Sequence, residues 1–551
     1  MNKRLFLSTI LLVLLFAWPA LSADLKTGLN AHKAGNFESA LIELSPLAEQ
    51  GNVDAQFMLG QMYLDGEGVP QDVREAIKWF SRSAEQGDVY AQYNLGIIYL
   101  NGEGTPKDDE EAFKWFGLAA EQGDADAQNR LGEMYANGQG HAQDYKAAIK
   151  WFTLAAEQGN ARSQNNLGIM YQHGYGVQQD EKEAVKWYVF SAEQGFVYAQ
   201  YNLGGMYVKG LGVQQDNDVA FKWFTLAAEQ GDSSAQGSLG SMYAAGLGHP
   251  QDYKAAIKWF TLSAEQGDVY GQYSLGLAYL DGQGVQKDEY AASKWFALAA
   301  DQGDRDAQSY LGQMYSYGIG VPVDDKLAVK WLTAAAVQGD VDAQYKLGLK
   351  YDYGEGVQKN MKQAVKWYTL AADQGNAGAQ NNLGTMYQYG EGVQQDPKEA
   401  VKWYTLSAEQ GRPIAQNNLG SMYDDGQGLV QNKTVAAKWY RRAAEQGYAE
   451  AQYNLGHMYS LKTYSGRKIL AAAQGFIESI QQGGSDKPAS VQSEDQLNDI
   501  NAYLWLSLAE ENEHELAKIG KNMIAIRMSS SDITKAQQLA RECMANDYKG
   551  C

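Results

Sequence analysis

A 36-residue period runs through most of this sequence. Residues 52–447 divide without a gap into eleven units, and the first reads NVDAQFMLGQMYLDGEGVPQDVREAIKWFSRSAEQG. A degenerate half-unit over 24–51 precedes the array, and a twelfth half-unit begins at Tyr448. Periods of this length are typical of proteins in which each repeat packs only on its neighbours. The sequence therefore predicts a stack of repeats rather than one compact core.

The positions that never vary between units hold small, aromatic, long aliphatic or amide side chains. The first four below recur in all twelve copies, and the other eight recur in eleven. They are Gln56, Leu59, Gly60 and Tyr63, then Gly66, Gly68, Ala76, Lys78, Trp79, Ala84, Gln86 and Gly87. The repeat explains why the chain contains 59 glycines but only 9 prolines.

Each unit carries the signals of two helices joined by a glycine turn. Asn52 and Asp72 can cap the two helices, because both side chains accept backbone N–H bonds. Gly66 follows the first helix, where a left-handed conformation ends a helix without strain. Gly60 lies inside the first helix, and we expect a bulky side chain of the neighbouring helix to lie on its backbone. The predicted fold class is all-α, a right-handed α/α solenoid with a helical C-terminal cap.

Composition excludes several classes of function. The net charge is −20, and acidic residues occur in every unit, so nucleic acid is not an expected partner. Two Cys and six His are too few for a metal cluster, and we expect neither a metal nor a cofactor. No nucleophile elbow, P-loop, H-E-x-x-H or C-x-x-C motif is present. We therefore predict no enzyme activity and assign no catalytic residue.

Residues 1–23 have the features of a secretory signal peptide. Lys3 and Arg4 precede an apolar run from Leu5 to Trp18, and small residues follow up to Ala23. The run is shorter than the roughly 20 residues that a membrane span needs. No second long apolar stretch follows, so we expect an exported protein, periplasmic or extracellular, whose mature chain has no membrane span.

The spaced pattern of the units, A-E-Q-G-x-x-x-A-Q-x-x-L-G-x-M-Y-x-x-G-x-G-V-x-Q-D-x-x-x-A-x-K-W, resembles the Sel1-like repeat, a relative of the tetratricopeptide repeat. The resemblance covers residues 52–459. It implies an α/α superhelix that acts as a protein-interaction scaffold. Exported bacterial members of this family are associated with envelope assembly, signalling regulation and contact with host cells.

The C-terminal part departs from the period. Residues 448–480 hold the twelfth half-unit and a predicted irregular helix, and the Gln-, Gly- and Ser-rich stretch 481–499 is predicted to be a flexible linker. Residues 500–551 resemble the helical cap that ends exported members of the family. Cys543 and Cys551 can form a local disulfide in an oxidising compartment.

The candidate binding residues lie on the first helix of each unit. In the related tetratricopeptide superhelix these helices line the concave groove, at positions near the Leu59 column, and those columns vary in this chain. Tyr supplies rigid amphipathic area, and Asn amides can pair with the backbone of an extended peptide. The predicted groove residues are Tyr90, Tyr93, Asn94, Asn166, Tyr198, Tyr201, Asn202, Tyr270, Tyr273, Tyr345, Asn382, Asn418, Tyr453 and Asn454.

Two interpretations of the Asn column stay open, since these amides can bind a peptide or bond to the adjacent repeat. The leading functional hypothesis is an exported, non-enzymatic scaffold whose groove binds an extended peptide or protein partner. A glycan- or cell-wall-binding protein is an alternative, because tyrosines in a groove also suit sugars. An enzyme acting on cell-wall material is a third, for which His514 with Ser529–Ser531 is the one candidate set, although helix capping explains these serines better.

Overall fold

The computed structural model describes residues 24–464, 494–549 and 551. The predicted signal peptide lies outside the described residues, as do most of the predicted irregular helix and the first part of the predicted linker. The described residues form helices and no strands, and they divide into two compact units, with Gly271 ending the first and Gln272 beginning the second. The predicted α-solenoid is confirmed.

The described residues of the N-terminal unit form fourteen helices and the start of a fifteenth. These are α1 Leu25–Lys33, α2 Phe37–Glu49, α3 Val53–Asp65, α4 Val73–Glu85, α5 Val89–Asn101, α6 Asp109–Glu121, α7 Ala125–Asn137, α8 Tyr145–Glu157, α9 Ala161–His173, α10 Glu181–Glu193, α11 Val197–Lys209, α12 Asn217–Glu229, α13 Ser233–Ala245, α14 Tyr253–Glu265 and α15 Val269–Asp281.

The described residues of the C-terminal unit form the rest of α15 and thirteen further helices. These are α16 Glu289–Asp301, α17 Arg305–Tyr317, α18 Asp325–Val337, α19 Val341–Tyr353, α20 Met361–Asp373, α21 Ala377–Tyr389, α22 Pro397–Glu409, α23 Pro413–Asp425, α24 Lys433–Ala444, α25 Ala449–Tyr464, α26 Glu494–Glu511, α27 Ala517–Ala525 and α28 Ser530–Ala545. We call the odd-numbered helices α3–α25 the A helices and the even-numbered helices α4–α24 the B helices.

The turn chemistry of the repeat is the predicted one. Asn52 Oδ1 accepts the amide of Ala55 at 2.9 Å and caps α3, and Asp72 caps α4 in the same way. Gly66 ends α3 at φ 76°, in the left-handed region that only glycine enters without strain. The helix pair of each repeat is therefore specified by local residues at both of its ends.

The glycine inside each A helix is a packing position. A Cβ at Gly60 would lie 2.5 Å from Phe80 Cδ1, which is closer than real Cβ contacts come. The expected bulky neighbour is therefore present, and it is the aromatic ring of the B helix in the same repeat. Later repeats use Tyr or Leu in this place, as Tyr404 does against Gly384.

The invariant glutamines form a hydrogen-bonded relay from repeat to repeat. Gln56 Nε2 donates to the carbonyl of Ala48 at 2.9 Å, and Gln86 Nε2 donates to Gln56 Oε1 at 2.7 Å. The same pair of bonds recurs in the following repeats with the residues shifted by the period. Gln56 is buried, so its amide must be bonded to be tolerated. The relay explains why these two columns never vary.

The invariant tryptophan of each repeat packs against the preceding repeat. Trp115 of α6 packs with Phe80, Leu95 and Ile98, which belong to the preceding B helix and its neighbouring A helix. The invariant lysine lies over the same indole, with Lys114 Nζ 4.9 Å from the Trp115 ring centroid. In seven repeats the lysine column therefore shields one face of the tryptophan through a cation–π contact.

The N-terminal segment 24–51, predicted to be a half-repeat, contains two helices in the structure. α1 pairs with α2 across a turn at Gly35, whose φ is 74°. Leu44 of α2 packs on the backbone of Gly28 in α1. In most later repeats an aromatic ring packs on the equivalent glycine. The segment is thus a shortened repeat whose first helix has only 9 residues.

The predicted linker 481–499 requires a correction at its end, since α26 begins at Glu494. Asp499 lies inside this helix and is held by Arg527 through two bonds from Nε at 2.9 Å. Gln496 donates to Asp532 at 3.2 Å. Tertiary bonds of the polar residues therefore make the end of this stretch helical, although its composition indicates a linker.

The C-terminal cap reproduces the contacts of a B helix. Leu506 of α26 lies on Gly456, as Phe80 lies on Gly60. Asn512 Nδ2 donates to Gln452 Oε1 at 2.9 Å and replaces the glutamine of the relay. The sequence A-x-x-W-L from Ala502 to Leu506 matches A-x-x-W-F of the repeats, a signal that sequence reasoning overlooked. α26 is therefore the second helix of the twelfth repeat, separated from its partner by an insertion.

The cap is completed by α27, α28 and a disulfide. Cys543 of α28 is buried against α25 and α26, and it is bonded to Cys551 with a Cα–Cα distance of 5.7 Å. Within the described part of the chain, none of the helices has the length and apolar character that crossing a membrane requires.

Candidate functional site

The predicted tyrosines of the Phe57 column pack against the B helices. The ring centroids of Tyr93 and Phe116 are 5.6 Å apart, and Tyr201 and Phe224 are separated by 5.8 Å. Tyr273 packs in the same way on Phe296 at 5.9 Å. The remaining two members, Tyr345 and Tyr453, are also half-buried. One side of each ring is therefore fixed by packing. The other side forms part of the surface of the A helices.

The other predicted tyrosines lie at the N-terminal ends of A helices and are exposed. The exposed fractions of Tyr90 and Tyr198 are 66% and 58%. Tyr270 is 50% exposed, and its hydroxyl lies 2.6 Å from Ser241 Oγ of the preceding repeat. Tyr270 is thus held by a hydrogen bond to the preceding A helix, whereas Tyr90 contacts its preceding A helix through the ring of Phe57, with centroids 6.0 Å apart.

Four of the six predicted asparagines bond to the adjacent repeat. Each of four members donates its Nδ2 to the Oδ1 of a buried asparagine one repeat earlier. The pairs are Asn166 to Asn129 at 3.2 Å, Asn202 to Asn165 at 3.0 Å, Asn418 to Asn381 at 3.1 Å and Asn454 to Asn417 at 2.9 Å. Asn382 accepts from Asn381, and Asn94 is half-buried in the same column. An amide has two N–H donors and an acceptor, so one such bond does not exhaust its capacity.

The structure brings three predicted residues together at one pocket in the N-terminal unit. Tyr201 and Asn202 of α11 line this pocket with Tyr270, and its volume is about 400 Å³. Its wall also includes Met206, Val208, Leu211, Phe224, Met242, Ala245 and Leu247, with Gln172, Lys209, Ser238 and Ser241. Pockets of about 300–1,000 Å³ with apolar walls and a few polar groups are the usual form of binding sites. We call this cavity the α11–α13 pocket.

Small residues open the α11–α13 pocket. Gly205 stands in the column of Gln61, and a Cβ at Gly205 would meet nothing within 4 Å. Gly237 stands in the Phe57 column, and a Cβ there would lie 3.1 Å from the ring of Tyr270. Gly237 therefore gives Tyr270 room to reach Ser241, and Gly205 leaves the space between the two A helices empty.

Apolar residues in the glycine turns complete the wall. Leu211 and Leu247 occupy the position between the two turn glycines, where Glu67 and its equivalents in most other repeats are acidic or amide residues. Sequence reasoning missed these leucines and Gly205. Two consecutive repeats differ from the other repeats in three columns. This difference is the sequence signal that could have identified these residues.

The chemistry of the α11–α13 pocket suits binding. Burial raises the pKa of the Tyr201 hydroxyl above its ordinary value, so this group stays a neutral hydrogen-bonding hydroxyl at physiological pH. Hydroxyls of tyrosine and serine, the Asn202 amide and the Lys209 ammonium surround an apolar floor. In the parts of the chain that the structure describes, no three His, Cys, Asp or Glu side chains are grouped to hold a metal.

The residues considered for catalysis have other contacts. His514 Nε2 lies 3.1 Å from Glu450 Oε2, and its ring stacks on Tyr453 with centroids 4.2 Å apart. Ser529 caps α28 by accepting the amide of Asp532 at 3.1 Å. Ser529 thus has the capping role that sequence reasoning preferred for it.

Comparison with known families finds twelve matches to a single sequence model, described as the Sel1 repeat. The matches cover residues 53–88, 89–124, 125–160, 161–196, 197–232, 233–268, 269–304, 305–340, 341–376, 377–411, 413–448 and 449–461. No curated protein is significantly similar to this chain in sequence.

The solved structures that are similar to this chain include two bacterial proteins. The first is c5321, described as a protective antigen present in uropathogenic Escherichia coli strains and displaying an SLR fold. It is 34% identical with a TM-score of 0.68, and the alignment covers 86% of this chain and 96% of c5321. The second is a Sel1 repeat protein from Oxalobacter formigenes, 38% identical with a TM-score of 0.46, covering 56% of this chain and 89% of that one.

Proposed function

This chain belongs to the Sel1 repeat family, whose members are generally protein-interaction scaffolds, and we propose that it is an exported, non-enzymatic member. It holds an extended segment of a partner protein against its A helices. The α11–α13 pocket takes one bulky apolar side chain of that segment as an anchor. Membership of the family supports the scaffold, and the pocket supports this particular mode of binding.

One observation carries the proposal. Repeats that otherwise keep the same residues depart from them together at Gly205, Gly237, Leu211 and Leu247, and the departures create one apolar pocket beside Tyr201. Binding energy at protein interfaces is concentrated where an apolar anchor fills a desolvated pocket. A scaffold with such an anchor site can hold a flexible segment whose other contacts are weak.

The asparagine column supplies polar contacts in this proposal. Asn202 lines the pocket while donating to Asn165 at 3.0 Å, so its amide is oriented before any ligand arrives. Its second N–H and its carbonyl suit the backbone of an extended peptide. Asn382, Asn418 and Asn454 offer the same groups in the C-terminal unit.

We place this scaffold outside the cytoplasm, in envelope assembly, signalling regulation or contact with a host. The signal-peptide pattern of residues 1–23 supports export. The similar c5321 protein is described as a protective antigen, which supports a location where a host can meet the protein.

A pull-down from envelope extract with the chain from Asp24 to Cys551 tests this function. One variant fills the pocket through Gly205→Leu and Ser241→Leu, and a second carries Asn382→Ala, Asn418→Ala and Asn454→Ala. Gln61→Leu, in the column of Gly205 but outside the pocket, is the matched control. We expect a discrete protein partner that the pocket variant loses and the control retains, with unchanged helicity by circular dichroism.

The outcomes separate the candidate functions. Capture of the same protein by the pocket variant would exclude the anchor, and capture by the asparagine variant would exclude the amide contacts. Recovery of glycan or peptidoglycan fragments without a protein would favour the glycan- or cell-wall-binding alternative instead.

A further inference from the structure

Three consecutive repeats of the C-terminal unit carry an exposed tyrosine at the same position. Tyr317, Tyr353 and Tyr389 are the last residues of α17, α19 and α21, and their exposed fractions are 62%, 67% and 65%. The equivalent residues elsewhere are Asp65, Asn101, Asn137, His173, Lys209, Ala245, Asp281 and Asp425. We call these three residues the tyrosine row. None of them belongs to the site predicted from sequence.

The tyrosines of the row are regularly spaced. α17, α19 and α21 contact one another in order, so the A helices of these repeats pack side by side. Helices that pack in this way lie about 8–10 Å apart. Because each tyrosine ends its helix at the same position, the exposed rings follow one another at about this spacing.

Two contacts fix aromatic rings on the helices that carry the row. Tyr345 of α19 is half-buried, and a Cβ at Gly378 of α21 would lie 2.8 Å from its Cζ, so the Tyr345 ring rests on the backbone of the next A helix. Lys346 Nζ lies 5.4 Å from the Tyr317 ring centroid and orients that ring. Rings that are already held in place lose less conformational entropy when a ligand binds.

Carboxylates border the row. Glu355 and Glu391 are exposed in the turns two residues after Tyr353 and Tyr389. Glu355 contacts Lys350 at 2.8 Å, whereas Glu391 forms no ion pair with any residue that the structure describes. In a chain of net charge −20, this border favours a ligand with basic residues.

We propose that the tyrosine row binds a polyproline II segment of a partner protein, with a proline at every third residue and a Lys or Arg beside it. A polyproline II helix has three residues per turn and rises about 3.1 Å per residue, so one turn spans about 9 Å. This step matches the spacing of the rings, and each tyrosine can take one proline on its exposed face. Aromatic grooves are a recurrent way to bind this preformed helix.

The site rests on the proposed scaffold function but not on the α11–α13 pocket, which lies in the other unit. Proline repeated in register with the row distinguishes this ligand from the anchor segment, which needs one bulky apolar side chain. The two sites can therefore be tested independently.

The test uses the chain from Asp24 to Cys551 and a fluorescein-labelled peptide of about nine residues, enough for three polyproline turns. The peptide carries proline at every third position and two flanking lysines. A second peptide has the same composition with its prolines adjacent. Fluorescence anisotropy measures the Kd of each for the unmodified chain, for Tyr317→Ala/Tyr353→Ala/Tyr389→Ala, and for Tyr290→Ala, an exposed tyrosine outside the row.

We expect the triple variant to bind the in-register peptide about tenfold or more weakly, because aromatic anchors dominate interface energies. Tyr290→Ala should bind it as the unmodified chain does, and the peptide with adjacent prolines should bind as weakly as the in-register peptide binds the triple variant. Glu355→Gln with Glu391→Gln should weaken binding of the lysine-flanked peptide and leave an uncharged version unaffected.

Equal affinity of the triple variant and the unmodified chain would overturn the proposal, as would equal affinity for the two peptides. Binding of an N-acetylglucosamine oligomer through the same tyrosines, with no binding of the proline peptide, would assign the row to glycans. If the peptide assay alone gives a negative result, the pocket variant should still lose its partner in the envelope pull-down. Negative results in both experiments would exclude the scaffold function itself.

Discussion

The glycine inside each A helix shows what one methyl group would cost. A Cβ at Gly96 would lie 2.6 Å from Phe116 Cδ1. We expect Gly96→Ala to destabilise the protein by about 1–3 kcal/mol, the usual effect of overpacking a core. This loss exceeds the gain of about 1 kcal/mol that alanine gives inside a helix. Urea unfolding followed by circular dichroism measures the difference.

Gly117→Ala, in the same repeat, is the control. A Cβ at Gly117 meets nothing within 4 Å, so only the helix propensity changes. The variant should be more stable by up to about 1 kcal/mol. Effects of the same sign for the two variants would contradict the packing role of Gly96.

The buried glutamines provide a second prediction. Gln128 Nε2 donates to the carbonyl of Ala120 at 3.1 Å, and its Oε1 accepts from Gln158 at 2.8 Å. Gln128→Ala removes both bonds of a buried amide, so that the Ala120 carbonyl keeps only the amide of Gly123 and Gln158 Nε2 loses an acceptor, and it should cost about 1–3 kcal/mol. Gln61→Ala removes an exposed bond to Asp65 and should change the free energy of unfolding by less than about 0.5 kcal/mol. Comparable losses in thermal unfolding would show that the relay does not stabilise the array.

The contacts of the helix glycine could be predicted from the sequence more fully than those of the buried glutamine. Glycine at Gly60 is unfavourable in a helix, so its recurrence predicts a close neighbour, and Phe80 is that neighbour. Invariance of Gln56 shows that the amide is needed, but not which groups it bonds. Its partners, Ala48 and Gln86, follow only from how successive helices pack.

At the scale of one helix, the N-terminal caps set where each A helix begins. Asp232 Oδ1 accepts the amide of Ala235 at 2.7 Å at the start of α13. Asp232→Ala should cost about 1 kcal/mol and speed amide hydrogen exchange in the first turn of α13. Asp218→Ala, an exposed change in the first turn of α12, should leave exchange in α13 unaltered. If exchange in α13 is as slow without Asp232, backbone packing alone holds this helix end.

The C-terminal cap is open to a similar test. Leu506 of α26 is buried between Gly456 and Gly520. Leu506→Ala should destabilise the cap by about 2–5 kcal/mol, as expected for a large-to-small core substitution. Leu497→Ala, on the same helix but 47% exposed, should have little effect. Hydrogen exchange in α25 reports the loss, because α25 packs directly on α26; unchanged exchange would show that α26 is not its cover.

Local signals identified the helices of the repeats but not the start of the cap. Caps and turn glycines lie within each unit, so one unit suffices to place its two helices. The start of α26 at Glu494 depends on Arg527 and Asp532, which are distant in sequence. The α11–α13 pocket has the same origin, since its wall combines Gly205 and Leu211 of one repeat with Leu247 of the next.

At the scale of the whole molecule, the repeats should respond to damage locally. Each A or B helix packs mainly on the helices before and after it in the chain. Gly96→Ala should therefore raise hydrogen exchange in α3–α8 and leave α20–α24 at the rate of the unmodified chain. A uniform increase throughout the chain, measured by mass spectrometry, would indicate one cooperative unit instead.

The identity of the junctions has a consequence for how such a protein changes its length. Because consecutive repeats meet through the same bond from an A-helix glutamine to a carbonyl of the preceding B helix and through the same tryptophan contact, the junction made by removing or inserting 36 residues is chemically the same as the one it replaces. Slippage between near-identical stretches of the coding sequence therefore yields chains that still fold. The number of repeats between the α11–α13 pocket and the tyrosine row in the sequence is therefore open to selection in steps of 36 residues.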